Sequence, residues 1–312
     1  MKKIASLFIA LIMLLSLSVT AFANEREVVI GTVHTNEYDY ILSLQNATTE
    51  ELAEMGLTRA QANEVISEFE AALQERASLP DETLLAMGYT QDEINALHTC
   101  RNTCRTRNVL PVETMRAITG TCTGNITASK ATAQEATFKY AWSWDHPPIM
   151  KLKDSVAMRW LAYDKNGYEV DVTKTSEKCS ISYYWNNRVQ FTRSGTQEPD
   201  LDFNSLNIQF DEAENFQSST TMTEEAYAGN GYVRVSVKVE PEVHNSISYL
   251  KVAALYGHTT VGVGSPSIGL SPAGTISISF SGTINSVIDS IAGDKVKITK
   301  TADPNSPNVS DI

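Results

Sequence analysis

Basic side chains are scarce in this 312-residue chain: 25 Lys and Arg stand against 37 Asp and Glu, a formal charge of −12. Phosphate backbones are gripped by Lys and Arg, so no nucleic-acid partner is expected. Long apolar runs are missing after the first twenty residues, so no spanning helix is expected in the remainder. Cysteine is limited to four residues. The local signatures of catalysis are missing too: there is no Gly-x-Ser-x-Gly elbow, no His-Glu-x-x-His pair and no Gly-x-x-x-x-Gly-Lys-Ser/Thr loop. No cofactor and no metal is implied. A secreted hydrolase ranks only third among the functional expectations, kept because a triad assembled from distant residues leaves no local motif.

What is present begins with an address. Lys2 and Lys3 precede an apolar stretch from Ile4 to Val19, and Ala21-Phe22-Ala23 places small residues at the two recognition positions of a signal peptidase. Residues 1–23 read as a secretory signal peptide of bacterial type, cleaved after Ala23. The mature protein is expected to be secreted, at the cell surface or in the medium.

Charge then divides the chain. Residues 24–99 hold three basic residues (Arg26, Arg59, Arg76) and fifteen acidic ones, whereas residues 100–312 hold 20 basic and 22 acidic. The acidic segment has helical periodicity: Ala62, Val65, Ile66, Phe69 and Leu73 fall on one face, with Glu64, Glu68, Glu70 and Glu75 on the other. Thr48–Glu51, Thr58–Gln61 and Thr90–Glu93 each fit the capping box, in which two orphan N–H groups are satisfied reciprocally. The stretch Glu50–Thr58 realigns with Glu82–Thr90 at an offset of 32, which predicts a repeated helix-turn-helix with Gly56 and Gly88 as left-handed helix ends. The Met-Gly-Leu/Tyr-Thr turn resembles the Met-Gly-Phe/Tyr loop of ubiquitin-associated three-helix domains over about ten residues per copy. That resemblance implies a docking surface through Met55, Leu57, Met87 and Tyr89. The residues themselves fit two helix-turn-helix units packed on each other.

From about residue 131 the period becomes two. In Tyr232–Glu240, Val233, Val235, Val237 and Val239 alternate with polar residues. Further strands are expected at 136–144, 155–163, 168–173, 179–185, 188–193, 247–256, 259–264, 275–281 and 295–299. Asn166-Gly167 and Asn186-Asn187 predict hairpin turns. Asp164–Glu169 shares the opening of a calcium loop but lacks its third oxygen ligand and its bidentate Glu, so the hairpin is the expected structure. The fold class is α+β: an N-terminal extension (24–47), an acidic helical module (48–100), a connector (101–130), an antiparallel β-sandwich (131–300) and a disordered tail (301–312).

Four features could carry function. Cys100, Cys104, Cys122 and Cys179 are disulfide candidates, with Cys122 or Cys179 expected to tie connector to sandwich. The spacing of His98, Cys100 and Cys104 is not a usual zinc pattern. Trp142, Trp144, Tyr183 and Trp185 are dense enough to suggest exposed rings that stack on a sugar, or else core and cross-strand pairs. His146, after Asp145, and His258 are the histidines of interest. Finally, Val252–Ile288 contains no Asp, Glu, Lys or Arg. Its strands 253–264 and 275–284 could form a membrane hairpin, the toxin alternative and the only expectation that involves a membrane. The leading expectation is a non-enzymatic binding or structural protein whose partner is an envelope protein or glycan.

Overall fold

The computed structural model describes residues 28–54, 57–103, 110–131, 134–151, 153–197, 204–240 and 246–258, together with strands at 266–270, 276–280, 287–292, 296–299 and 308–311. The α+β class holds, with antiparallel sheet dominant. One sheet runs β1(Val28–Asn36), β2(Thr121–Ala131), β3(Glu135–Trp144), β11(Thr223–Val239), β6(Val172–Trp185) and β7(Arg188–Arg193), with β10(Ala213–Gln217) also on β11. The second runs β17(Asn308–Asp311), β16(Val296–Thr299), β12(Tyr249–His258), β4(Lys153–Tyr163), β9(Ser205–Asp211) and β8(Thr196–Gln197). In it β15(Val287–Ala292) pairs β12 and β5(Glu169–Val170) pairs β4.

Alternation decides which side chains meet between the sheets. Phe138, Tyr140, Trp142 and Trp144 of β3, with Val233, Val235, Val237 and Val239 of β11, point inward from the first sheet. Val156, Met158 and Trp160 of β4, Leu206, Ile208 and Phe210 of β9, and Val252, Ala254 and Tyr256 of β12 meet them. Each such side chain removed from water contributes about 1.5–3 kcal/mol.

The helices form a second core. α1(Glu37–Asn46), α2(Thr49–Glu54), α3(Arg59–Ala77), α4(Asp81–Ala86), α5(Gln91–Thr103) and α6(Val112–Ile118) bury Ile41, Leu44, Leu52, Val65, Phe69, Leu73, Leu84, Ile94, Leu97 and Ile118 together. All three capping boxes form, with Thr48 and Glu51, Thr58 and Gln61, and Thr90 and Glu93 exchanging their bonds. Gly88 has φ +100°, the left-handed end expected of it; Met55 and Gly56 lie outside the described residues. The stretch 24–47 is more than an extension, since it supplies β1 and α1. The stretch 101–130 contains α6 and β2. The helices thus sit in the chain between two paired strands, β1 and β2.

Two turns differ in detail from expectation. Asn186 and Asn187 both take positive φ, 54° and 56°, as a tight hairpin requires. At Asn166-Gly167 the hairpin forms with a longer loop. Asp164 Oδ1 accepts from the N–H of Asn166 (2.8 Å) and of Tyr168 (2.9 Å), and of the two turn residues Gly167 alone is left-handed. The expected strand 259–264 lies outside the described residues. Among the described residues of the two expected membrane strands, β14(Ile276–Phe280) pairs β13(Pro266–Leu270), while β12 pairs β4. Val252, Ala254 and Tyr256, at the start of the first of those strands, face the sandwich core.

Candidate functional site

Of the eight residues that link β3 to β4, the first six, 145–150, form a strap where the helices meet one end of the sandwich. It is anchored at its start by Asp145, whose Oδ1 accepts from the N–H of Thr121 and of His146, both at 2.7 Å. Pro147 and Pro148 have no N–H and offer only carbonyls. Arg76, near the end of α3 and 4% exposed, donates Nη1 to Pro147 O (2.9 Å) and Nη2 to Pro148 O (2.8 Å). Its Nη1 also reaches the Tyr89 hydroxyl at 2.7 Å. The fork geometry of guanidinium suits this triple grip. His146 stacks on Tyr89 with ring centroids 4.5 Å apart, and its Nε2 lies 3.3 Å from Glu93.

On one side of the strap lies a cleft of about 480 Å³ between the helices and the sandwich. Leu79 and Met87 come from the helical side, Ile149 from the strap, and Tyr184, Trp185 and Tyr227 from β6 and β11. Glu75, Glu225 and Lys151 add both signs of charge, and Lys151 pairs with Glu225. Adjacent residues of a strand normally face opposite ways, yet Tyr184 and Trp185 both line this cleft. The β6–β7 register shifts between Tyr183 and Tyr184, which turns the strand end toward it. The Asn186-Asn187 turn closes one end, with Asn187 Nδ2 donating to Leu85 O at 3.4 Å.

On the other side of the strap is a dry, ionisable centre. Glu37, the first residue of α1, accepts from the N–H groups of Ile149 (2.8 Å), Met150 (3.1 Å) and Gly120 (3.2 Å). Its Oε1 also meets Nε2 of His258 at 3.2 Å. His258 Nδ1 lies 2.9 Å from Asp154 Oδ1 and 3.6 Å from Glu212 Oε1. Tyr256 donates its hydroxyl to the second oxygen of Asp154 and accepts from Trp144 Nε1 at 3.0 Å. Burial alone would lower the His258 pKa, but Glu212 and Asp154 outweigh it and hold the imidazole well above its ordinary value. Burial, reinforced by Asp154, pushes the Cys122 thiol and the Tyr256 phenol well up.

The expected site residues are therefore divided. Met87 and Trp185, half-buried, are brought together in the cleft. Trp142, Trp144 and Tyr183 are core residues at 2%, 7% and 0% exposure and present no face to a sugar. Trp142 fits inward because its cross-strand partner is Gly231, where any side chain would overlap the indole. Tyr89 is buried beneath Arg76 and His146 and cannot dock a partner. Cys122 and Cys179 are free thiols, so the expected bridge between connector and sandwich through them does not form. Burial pushes the Cys179 thiol up to about 12. Cys100 is buried and disulfide-bonded, and Cys104 lies outside the described residues. His258 meets carboxylates, but in the interior and not in a cleft.

Sequence reasoning missed Glu37, Asp154 and Glu212. The signal was alternation carried one step further: Val156 leads back to Asp154, Phe210 on to Glu212 and Tyr256 on to His258. In the sequence Arg76 reads only as charge, and nothing local marks it as a clamp.

No family model matches the chain, and no curated protein matches it. Among solved structures, the collagen-binding subdomain ACE19 of the Enterococcus faecalis surface protein ACE aligns at TM-score 0.24 and 8% identity, over 49% of this chain and 87% of that one. A structure of Streptococcus parasanguinis Fap1 fimbriae, described for pH-induced modulation of adhesion, aligns at 0.23 and 9%, over 54% and 76%. AvmM, a macrocyclization catalyst of alchivemycin A biosynthesis, aligns at 0.21 and 9%, over 50% and 85%. Scores this low bear on neither fold nor function. No described helix is long and apolar enough to cross a membrane.

Proposed function

We propose that this chain is an exported, non-catalytic binding protein that takes a peptide segment of an envelope or surface protein into the cleft between its helices and its sandwich. The observation that carries the reading is the convergence of Met87 and Trp185, from different layers, on one cavity. About 480 Å³ lies within the ~300–1,000 Å³ usual for ligand sites, and the lining joins apolar side chains to the charged ones of Glu75, Arg76, Lys151, Glu224 and Glu225. Met87 adapts to apolar side chains of different shape. Glu75 and Lys151 offer charge at the rim to orient a backbone or a basic or acidic side chain. Export rests on residues 1–23. The glycan version has less support, because Trp142 and Trp144 are interior.

The chain has four Trp, and Trp142, Trp144 and Trp160 are buried, so Trp185 is the ring placed to report on the cleft. Peptides selected from a displayed library on the mature protein should shift its tryptophan emission and should lose at least tenfold in affinity for Trp185→Ala and Met87→Ala. Selected peptides that bind both variants as tightly as wild type would overturn the cleft as the site. Hits from a glycan array that depend on Trp185 would replace the peptide by a sugar.

A further inference from the structure

We propose that Asp154, Glu212 and His258 form a binding site for one first-row divalent transition cation, with zinc as the probe. The site is independent of the cleft. Strands β9, β4 and β12 are neighbours in one sheet, and their inward positions are apolar rung after rung: Leu206 and Ala254 flank Met158, then Ile208 and Tyr256 flank Val156. On the next rung Phe210 still flanks Asp154, with His258 on its other side, and two residues beyond Phe210, just past β9, comes Glu212, so the apolar rungs give way to Asp154, His258 and Glu212. These are core positions at 1%, 1% and 0% exposure, occupied by ionisable groups where alternation calls for Val or Leu. Such a break in an otherwise consistent pattern is the mark of a site and not of packing.

The geometry is that of a ligand set. Donor atoms of the three residues all lie within 4.8 Å of one another. Zinc bonds to nitrogen and oxygen of about 2.0–2.1 Å put neighbouring ligands of a tetrahedron about 3.4 Å apart. The Nδ1 of His258 is 2.9 Å from Asp154 and 3.6 Å from Glu212, on either side of that value. A metal-bound imidazole ordinarily gives its other N–H to a carboxylate, which fixes ring and tautomer. Glu37 stands at that position, 3.2 Å from Nε2, and is itself fixed by three backbone N–H groups outside the ligand set. Asp154 is oriented likewise by Tyr256, and Tyr256 by Trp144. Glu212 is held from its backbone, its carbonyl accepting from Ala228 at 2.7 Å.

One imidazole and two carboxylates suit zinc, manganese or iron(II). Calcium asks for six to eight oxygens, and copper(I) for thiolate or thioether. A divalent cation would set two positive charges among three buried carboxyl groups, those of Asp154, Glu212 and Glu37. With all three ligands closed off, the metal must be loaded as the chain folds.

Full-length mature protein, unfolded in chelator and refolded with zinc, should retain one zinc per chain after gel filtration and melt at a higher temperature than protein refolded in chelator. Refolding with cobalt(II) should give the visible absorption of a low-symmetry N/O site, absent when excess zinc competes during the same refolding. Glu212→Gln should lose metal at least tenfold while remaining folded. Glu37→Gln, which touches no metal, should weaken affinity by about 10–100-fold. Correctly folded wild-type protein that holds less than 0.1 equivalent of zinc, cobalt or manganese, with one melting temperature in chelator and in metal, would overturn the site. That result would leave the cleft untouched.

Discussion

The two sides of the 145–150 strap are made from the same six residues and have opposite chemistry. Toward the cleft the strap turns carbonyls, those of Pro147 and Pro148, which Arg76 gathers. Toward the interior it turns N–H groups, those of Ile149 and Met150, which Glu37 gathers. The prolines make this division possible, because they remove two donors from the half that must meet a cation. The wet side is left with adaptable side chains and solvent, suited to binding. The dry side is over-determined, with every named group held by another. A backbone with so little helix or strand of its own is thereby fixed as firmly as a sheet rung, by one buried cation and one buried anion.

The largest way to break that balance is Glu37→Ala. It strands three N–H groups and the imidazole in the interior, and breaking a buried pair of this kind costs about 3–5 kcal/mol. Urea unfolding should show the midpoint falling accordingly, and an effect below about 1 kcal/mol would mean that the dry side is not load-sharing. Next is Arg76→Ala, which removes three bonds from a buried guanidinium and should cost about 2–4 kcal/mol by the same measurement. Arg76→Lys retains the charge without the fork and should recover only part of it. Made together, the two alanine changes should depart from additivity by about 1 kcal/mol, since both act on one strap. Additive losses would show that the strap does not couple its sides.

The smallest effect is a pH dependence at the rim of the strap. Burial would raise the Glu93 pKa, but hydrogen bonds from the Thr90 N–H and hydroxyl, and His146, hold it below its ordinary value. A carboxyl with a depressed folded pKa contributes stability that is present above the unfolded value of about 4.3 and is lost as pH falls through the folded one. Stability of the wild type should therefore decline on acidification below that range more steeply than that of Glu93→Gln. Parallel curves would remove Glu93 from the strap's anchorage.

How much of this was legible in the sequence depended on whether a residue's role was local. The capping boxes, Gly88 and the Asn186-Asn187 turn are written in four or fewer neighbouring residues, and they form as written. The Val233–Val239 strand and the Trp142/Trp144 face declare themselves by period two. β2 did not, because of its inward residues Cys122, Gly124, Ile126 and Ala128 only Ile126 is a large aliphatic, and Gly124 sits where Tyr140 packs. β1 and α1 were hidden for a different reason: their partners, Thr121 to Ala128 and the strap, are far along the chain. Met87 and Trp185 stand out in the sequence for separate reasons, one helical and one aromatic, and only the folded chain brings them to one cavity. The dry centre was the least legible. Glu37, Asp154 and His258 come from α1, β4 and β12 and Glu212 from the junction of β9 with β10, and the energetic reason for each is the presence of the others.

The pairing of β1 with β2 also bears on how the molecule comes into being. Asn36 and Thr121 are neighbours across the ladder and 85 positions apart in the chain. In the chain β1 is separated from its partner by all six described helices, and Glu37 from its histidine by 221 positions. The helices can condense early around their own apolar face, and in doing so they carry α1, and with it β1, toward the edge that β2 will extend. The helical layer is thus also a holder for the first strand, and cutting it away would leave the sheet without its beginning.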